Sequence, residues 1–215
     1  MSRTFDTRRP DERAAGIAAA VDAVRRGQLV VMPTDTVYGI GADAFDSDAV
    51  ADLLAAKGRG RDMPVPVLIG SWRTLDGLVM SLSQPTRDLI EAFWPGGLTL
   101  VVEHAPSLAW DLGDAYGTVA VRMPLHPVAL EILTETGPMA VSSANSTGMP
   151  PASTAAEAET QLGYQVGVYL EAGVGGAQVP STIVDVTGEV PRVLRVGAVD
   201  LDALRKVSPQ LEGPE

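Results

Sequence analysis

Residues 33–43 read PTDTVYGIGAD and follow directly after the apolar run LVVM at residues 29–32. A short apolar run that ends at a proline predicts a buried strand, because proline cannot donate the hydrogen bond that continues strand pairing. Hydroxyls, two carboxylates, a phenol and two glycines then fill the loop behind this strand. Such a loop fits a binding site, although a strand-to-helix connection with hydroxyl caps explains the same residues.

Strand and helix patterns alternate along the rest of the chain. Helical spacing predicts helices at residues 12–26, 47–57, 75–80, 86–93, 127–134, 154–162 and 201–207. Apolar runs predict strands at residues 29–32, 65–69, 98–102, 118–123, 139–142, 166–170, 182–186 and 193–194. This mixture predicts an α/β fold with a large twisted sheet in one domain, residues 10–207. Residues 208–215 are polar, with two prolines and a glycine, and predict a disordered tail.

Charge and composition exclude several classes of protein. The net charge of −11 argues against a broad surface for nucleic-acid backbones, but it leaves room for a small anionic ligand held by local cations. The chain has no cysteine, so it has neither disulfides nor a thiolate nucleophile. No apolar run is long enough to cross a bilayer, and residues 1–13 lack the apolar core of a signal peptide. We therefore expect a cytoplasmic protein without a membrane partner.

Two segments carry cations in places that need an explanation. Residues 57–61, KGRGR, set three cations at alternate positions after a helix, an arrangement that fits a phosphate site because guanidinium groups match phosphate oxygens. Interaction with the helix dipole is the alternative explanation. Arg122 ends the alternating apolar run TVAV and is one of only three lysines or arginines in residues 62–191. An arginine in this setting should meet a protein carboxylate or a ligand anion.

Two further segments offer polar groups at strand ends. Residues 139–151, MAVSSANSTGMPP, open a strand into a run of hydroxyls and an amide, which suits either a ligand or a simple turn. A hairpin around Gly188 would bring Ser181 towards Arg195 on the opposed strand.

Six segments, in this order, resemble the YrdC-like family of threonylcarbamoyl-AMP synthases. They are PTDTVYGIGAD, KGR at 57–59, VRMP at 121–124, SSANSTG at 142–148, PSTIVD at 180–185 and LRVGAV at 194–199. The resemblance implies a YrdC-like α/β fold, in which a twisted mixed β-sheet with flanking helices surrounds a large central cavity.

The resemblance also implies a reaction. A nucleotidyltransferase of this family converts L-threonine, bicarbonate or CO2, and ATP into threonylcarbamoyl-AMP and pyrophosphate, with Mg2+ accompanying the ATP. The adenylate then passes to a partner, a tRNA threonylcarbamoyl transferase complex, which makes threonylcarbamoyladenosine in tRNA. Weak direct contact with tRNA is an open question.

The site residues are carried over from the matching motifs. Attack of a carbamate on the α-phosphate brings two anions together, so cations are required. We expect Lys57 and Arg59 to be catalytic. The expected ATP contacts are Lys57, Arg59, Thr118, Ser142, Ser143, Asn145 and Arg195. The expected threonine contacts are Thr36, Tyr38, Arg122 and Ser181, with Arg122 pairing with the carboxylate. No residue is assigned to a metal.

The chain departs from the family pattern at four positions. Gly60 stands where many members have a proline, and Met63 and Leu68 stand where some have an asparagine and a histidine. Pro151 aligns with a serine that contacts nucleotide in relatives. These changes bear on the detailed threonine and ATP contacts and leave the reaction class intact.

Two other readings stay open. The first is a non-catalytic RNA-binding YrdC-like module, which the acidic balance of the chain disfavours. The second is a carbamoyl-transfer relative similar to part of the hydrogenase maturation proteins, whose zinc-finger segments this cysteine-free chain lacks.

Overall fold

The computed structural model describes residues 2–214. Within them, ten strands form one mixed sheet in the order β1-β8-β2-β3-β7-β4-β6-β5-β9-β10. The strands are β1 Arg3–Asp6, β2 Leu29–Met32, β3 Gly39–Asp43, β4 Val67–Leu68, β5 Leu98–Glu103, β6 Thr118–Arg122, β7 Met139–Ser143, β8 Val166–Glu171, β9 Thr182–Asp185 and β10 Arg192–Arg195. The α-helices are α1 Pro10–Arg25, α2 Ser47–Lys57, α3 Gln84–Phe93, α4 Pro127–Thr136, α5 Ala155–Leu162 and α6 Leu201–Val207. Short 3-10 helices span Trp72–Gly77 and Gly163–Gln165.

The sheet separates two buried hydrophobic clusters. Successive side chains of a strand point to opposite faces, so Leu29 and Val31 of β2 join one cluster while Val30 and Met32 join the other. Helices α1 and α4 cover the face of Val30, and α2, α3, α5 and α6 contribute to the face of Leu29. The predicted α/β fold with a twisted mixed sheet and flanking helices is confirmed.

Strand β3 corrects the sequence interpretation. The predicted loop at residues 33–43 is a loop only as far as residue 38, because Gly39–Asp43 pairs with both β2 and β7 in the interior of the sheet. A Cβ on Gly39 would lie 2.7 Å from Cγ1 of Val141, and one on Gly41 would lie 2.9 Å from Cε of Met139. The two glycines therefore serve close packing inside a sheet rather than a turn.

The ends of the chain also differ from expectation. Strand β1, which was not predicted, pairs in parallel with β8, so the sheet begins before residue 10. The prediction of a disordered tail is wrong for residues 208–212. Leu211 is buried in the core, and backbone hydrogen bonds join Glu212 to Pro191 and Val193. The apolar side chain of Leu211 supplies the anchor that composition alone did not reveal; Glu215 lies outside the described residues.

Two local expectations are refined by the structure. The strand predicted at residues 65–69 is limited to Val67–Leu68, and the helix predicted at 75–80 is the 3-10 helix Trp72–Gly77. The hairpin around Gly188 is confirmed, since β9 and β10 pair antiparallel with Arg195 opposite Ile183. This pairing places Arg195 of β10 near the start of β9, beside Ser181.

Candidate functional site

A cavity of about 340 Å³ opens between the loop at residues 33–38, strands β5, β6 and β7, and the hairpin of β9 and β10. It contains most of the residues singled out from the sequence. Eight of them line it: Thr36, Tyr38, Arg59, Arg122, Ser142, Ser143, Ser181 and Arg195. Segments that are more than a hundred residues apart in the sequence thus converge on one site.

A larger, more open cleft of about 600 Å³ lies elsewhere, beside the start of β8 and the end of α1. Its wall includes Arg3, Arg26, Gln28 and Tyr164, and none of the predicted site residues. We take the smaller cavity as the functional site because it combines buried polar groups with cations, which is the usual character of a ligand site.

Arg122 anchors one wall of the cavity through three different partners. Its Nη2 lies 2.5 Å from Oδ1 of Asp35, Nη1 donates to Oγ1 of Thr36 at 2.8 Å, and Nε donates to the carbonyl oxygen of Gly96 at 2.8 Å. Burial lowers the pKa of the guanidinium, and the charge of Asp35 opposes that shift. Of the two partners anticipated for Arg122, the structure supplies the protein carboxylate. Its predicted pairing with a threonine carboxylate would have to use the remaining N–H groups.

Hydroxyl groups from residues 33–38 form a connected network at this wall. Thr34 Oγ1 lies 3.0 Å from Thr36 Oγ1 and donates to the carbonyl oxygen of Val37 at 2.6 Å. The backbone N–H of Thr36 also donates to Thr34 Oγ1. Both threonines are buried, so their hydroxyls must satisfy one another or a ligand.

Tyr38 contributes its ring to the cavity and its hydroxyl to the neighbouring glycine-rich segment. Its ring lines the cavity, but its hydroxyl donates to the carbonyl oxygen of Gly173 at 2.7 Å and accepts from the N–H of Ala172 at 2.9 Å. Burial raises the pKa of this phenol. The glycine-rich segment that follows is further joined to the loop, since Ala177 and Gln178 donate backbone hydrogen bonds to Asp35 and Thr36. Tyr38 thus holds residues 172–178 against the site.

Lys57 and Arg59 both contact the C-terminal end of strand β7. Nζ of the buried Lys57 donates to the carbonyl oxygens of Ser143 at 2.6 Å and Asn145 at 2.7 Å, and lies 3.4 Å from Asn145 Oδ1. Burial, and secondarily the charge of Arg59, lowers the pKa of Lys57 to about 8. These contacts occupy all three ammonium hydrogens. A direct phosphate contact by Lys57, as predicted, would have to replace one of them.

Arg59 faces the cavity with few protein partners. Its Nη1 donates to Ser142 Oγ at 3.3 Å, and its buried Nε has no hydrogen-bond partner. Burial lowers the pKa of its guanidinium. Within residues 2–214, neither Arg59 nor Arg195 has a carboxylate within ion-pair distance. Two cations on one cavity that form no ion pair within residues 2–214 are suited to an anionic ligand.

Ser181 is the centre of a second polar cluster. Thr99 Oγ1 donates to Ser181 Oγ at 2.8 Å, and Arg195 Nη2 donates to the same oxygen at 3.2 Å. Arg195 also donates to the carbonyl oxygen of Ser181 through Nε and Nη2. Burial lowers the pKa of the Arg195 guanidinium.

Besides Lys57, two predicted ATP contacts do not reach the cavity wall. Thr118 Oγ1 donates to the carbonyl oxygen of Ala115, and its side chain borders a separate pocket of about 90 Å³. The Asn145 amide donates to the carbonyl oxygens of Ser146 and Met149, which makes it part of the turn after β7. Both contacts remain predictions that a nucleotide complex must test.

Three residues with clear roles were not selected from the sequence. Asp35 neutralises the charge of Arg122, and the hydroxyl of Thr34 forms a hydrogen bond with that of Thr36. The hydroxyl of Thr99 contacts that of Ser181. The threonine spacing in residues 34–36 was a usable signal for Thr34. Thr99 gave none, because a single hydroxyl inside the apolar run LTLVV is equally typical of strand packing.

The departures from the family pattern divide between the cavity and its surroundings. Leu68 and Pro151 line the cavity, while Met63 is 39% exposed and lies outside its wall. The apolar substitutions at Leu68 and Pro151 therefore shape the site directly.

Metal and membrane features are limited in the described part of the chain. No group of three or more histidine, cysteine, aspartate or glutamate side chains in residues 2–214 is arranged to hold a metal ion. None of the helices in the same residues combines the length and the apolar character needed to cross a lipid bilayer.

A family model for Sua5, YciO and YrdC, described as "Telomere recombination", matches residues 22–197. The chain belongs to the Sua5/YciO/YrdC family. The resemblance seen in the sequence motifs is therefore confirmed. A family member from Mycobacterium tuberculosis, provisionally named a threonylcarbamoyl-AMP synthase, is 64% identical over 207 residues, which are 96% of this chain and 95% of that protein. The Pyrococcus abyssi threonylcarbamoyl-AMP synthase is 35% identical over 192 residues, 89% of this chain and 56% of its own.

Solved structures of Sua5/YciO/YrdC members share the fold. The crystal structure of P. abyssi Sua5 complexed with L-threonine superposes with a TM-score of 0.91 and 32% identity, covering 99% of this chain and 62% of that one. The E. coli YciO structure gives a TM-score of 0.84 at 25% identity, covering 95% of this chain and all of that one. This chain thus spans about three fifths of the Sua5 structure and the full length of YciO.

Proposed function

We propose that this chain is an L-threonylcarbamoyl-AMP synthase, a nucleotidyltransferase that uses L-threonine, bicarbonate or CO2, and ATP. The observation that carries the proposal is the meeting of Arg59 and Arg195, neither of which forms an ion pair in the described residues, with two hydroxyl clusters on one cavity. Relatives named as threonylcarbamoyl-AMP synthases, including one of 64% identity, support the same activity. A threonine-bound relative with the same fold supports L-threonine as the amino-acid substrate.

The reaction has two chemical steps. The amine nitrogen of threonine attacks the carbon of CO2, forming an N–C bond and losing a proton, and this yields a carbamate. A carbamate oxygen then attacks the α-phosphorus of ATP, the bond from that phosphorus to the bridging oxygen of the β-phosphate breaks, and pyrophosphate leaves. Both steps depend on holding the reactants in contact, because enforced proximity lowers the barrier of a reaction between separate molecules.

Electrostatics is the main task of the protein in the second step. The carbamate and the triphosphate are both anions, and their approach is opposed unless cations lie beside them. Arg59 and Arg195 are in position to supply that charge from two walls of the cavity. Mg2+ enters as part of the ATP substrate in this proposal, since Mg2+ is commonly held by substrate phosphates and only a few protein oxygens.

Lys57 and Tyr38 act behind the site rather than on the substrates. Lys57 fixes the backbone of Ser143 and Asn145 through its ammonium group, which positions the strand end that faces the nucleotide. Tyr38 fixes residues 172–178 across the loop. The direct substrate contacts expected of Lys57 and Tyr38 from the sequence stay predictions.

Buried hydroxyls provide the selectivity for threonine. Thr36 lines the cavity with a buried hydroxyl, and a site built to hydrogen-bond a substrate hydroxyl rejects an analogue that lacks it. We therefore propose that L-valine, which has the shape of threonine without its hydroxyl, is a poor substrate.

The product is a mixed anhydride, which a second enzyme must use before it hydrolyses. We propose that a tRNA threonylcarbamoyl transferase complex takes it in the cytoplasm and forms threonylcarbamoyladenosine. Any direct contact of this chain with tRNA would be weak, because a net charge of −11 opposes the phosphate backbone. The same argument disfavours a purely RNA-binding role.

Product analysis tests the proposal. The purified protein is incubated with ATP, Mg2+, L-threonine and bicarbonate, and threonylcarbamoyl-AMP is measured at once because mixed anhydrides hydrolyse. Formation that depends on both threonine and bicarbonate supports the proposal. Folded protein that binds ATP but forms no adenylate under these conditions would refute it.

A further inference from the structure

The hydroxyl group of Ser181 has its acceptor positions filled by the protein. A serine hydroxyl carries one donor hydrogen and two acceptor lone pairs. Thr99 Oγ1 donates to Ser181 Oγ at 2.8 Å, and Arg195 Nη2 donates to the same atom at 3.2 Å. The hydrogen of Ser181 is thus the only part of its hydroxyl left for a further bond.

That hydrogen has no protein acceptor within residues 2–214. In the part of the chain that the structure describes, Ser181 Oγ receives hydrogen bonds and makes none of its own. Ser181 is only 8% exposed and lines the cavity wall, so bulk water is a limited partner. A buried donor of this kind favours an acceptor atom of a ligand.

The hydroxyl of Thr36, which also lines the cavity, has the reverse polarity. Thr34 gives its hydrogen to the carbonyl oxygen of Val37, so the hydrogen between Thr34 and Thr36 must come from Thr36. Thr36 Oγ1 then accepts from Arg122 Nη1 and keeps one free lone pair. Thr36 therefore presents a hydroxyl acceptor, and Ser181 presents a hydroxyl donor beside the cation of Arg195.

We propose that Thr99 is a positioning residue that fixes the Ser181 hydroxyl as a donor to a carboxylate oxygen of the bound amino acid. The proposal rests on the proposed function, and it assigns the substrate carboxylate to the wall of Ser181 and Arg195 rather than to Arg122. The parallel pairing of β5 with β9, with Leu98 opposite Thr182, sets Thr99 beside Ser181. Thr99 is 3% exposed, so this contact is not replaced freely by water.

Steady-state kinetics of Thr99→Val and Thr99→Ser test the proposal. Valine keeps the branched shape but removes the donor, so the Ser181 hydroxyl is no longer held in one orientation. We expect Thr99→Val to raise the KM for L-threonine about three- to tenfold, with kcat and the KM for ATP changed by less than about twofold. Thr99→Ser, which keeps the donor, should restore most of the KM for L-threonine.

Coupling to Ser181 separates positioning from a purely structural effect. In a Ser181→Ala background, Thr99→Val should cause no further rise in the KM for L-threonine, because the group that it positions is gone. Thr160→Val is the matched control, since it removes a hydroxyl bond to the carbonyl oxygen of Ala156 on exposed α5. An unchanged KM for L-threonine in Thr99→Val, an equal rise in both KM values, or a full effect without Ser181 would overturn the proposal.

The Kd for L-threonine, measured by calorimetry, tests this inference independently of catalytic turnover. Wild-type protein that binds L-threonine but forms no adenylate would refute the proposed reaction, and the ratio of Kd values for Thr99→Val and wild type would still test Thr99. A Kd ratio of about three to ten supports the inference, and a ratio near unity overturns it. Failure of the wild-type protein to bind L-threonine would overturn both.

Discussion

Arg122 and Asp35 form a buried ion pair at the back of the cavity, with side-chain exposures of 7% and 17% and a distance of 2.5 Å from Nη2 to Oδ1. Asp35 Oδ1 also accepts the backbone N–H of Leu125 at 2.8 Å. The pair therefore joins the loop at residues 33–38 to the segment after β6. The two charges compensate each other, which leaves Arg59 and Arg195 as the cavity cations that form no ion pair among residues 2–214.

Removal of Asp35 should destabilise the protein strongly. Asp35→Ala leaves the buried Arg122 without its counter-charge, so we expect the free energy of unfolding to fall by about 3–5 kcal/mol. Asp111→Ala is the control, because Asp111 pairs with Arg61 on the surface and its removal should cost at most about 1 kcal/mol. Urea unfolding measures both. Equal decreases in the free energy of unfolding of the two variants would show that burial does not make the Arg122–Asp35 pair more important for stability than a surface pair.

Arg59 should be needed for turnover but not for folding. In Arg59→Ala, we expect kcat/KM for ATP to fall about a hundredfold or more, because a preorganised cation beside developing charge is lost. The fold should persist, since Arg59 makes one long hydrogen bond to Ser142. Arg61→Ala is a neighbouring control whose exposed side chain pairs with Asp111 and Asp114, and its activity should stay close to wild type. Near-normal turnover in Arg59→Ala would remove Arg59 from the mechanism.

Tyr38 should control the mobility of the glycine-rich segment at residues 172–178. Tyr38→Phe removes the bonds from the hydroxyl to Gly173 and Ala172, so we expect a loss of about 1–3 kcal/mol in stability. Hydrogen exchange at residues 172–178 should become faster than in wild type. Tyr164→Phe, at a side chain that is 91% exposed, should change neither quantity. Unchanged exchange in Tyr38→Phe would mean that backbone bonds alone hold the segment.

Lys57 should make stability depend on pH in the alkaline range. Its pKa is about 8 in the folded protein against 10.5 for the free group, so the unfolded chain binds more protons between these values and stability rises with pH there. Below pH 8 both states are protonated and this contribution is constant. Lys57→Met cannot titrate, so the difference in unfolding free energy between wild type and variant should grow in favour of wild type by up to about 3 kcal/mol from pH 8 to 10.5. A difference that is flat over that range would contradict the prediction.

Local patterns in the sequence were sufficient for much of the fold. Strand β2 has its predicted bounds because an apolar run bounded by Gly27 and Pro33 has little alternative. Helix α2 also has its predicted span. Its N-terminal cap is Asp46, whose carboxylate accepts hydrogen bonds from the backbone N–H groups of Asp48 and Ala49. Strand β3 was missed because its glycines resemble a turn until the side chains of β7 above them are known.

The candidate site shows the same division between local and spatial information. Motifs brought the right segments together, since eight of the predicted residues line one cavity. The sequence could not predict the directions of the hydrogen bonds, because they depend on contacts between residues that are far apart in the chain, such as Lys57 with Ser143 or Thr99 with Ser181. The sequence therefore predicted which residues gather at the site, and the structure was needed to show how they are hydrogen-bonded to one another.

Formation of the adenylate from labelled bicarbonate is the measurement that decides the central claim. The purified protein is given bicarbonate labelled with heavy carbon together with ATP, Mg2+ and L-threonine, and the adenylate is analysed by mass spectrometry. The account predicts threonylcarbamoyl-AMP that carries the label in wild type and is nearly absent with Arg59→Ala. Absence of labelled adenylate from wild-type protein that is folded and binds both ATP and L-threonine would contradict it.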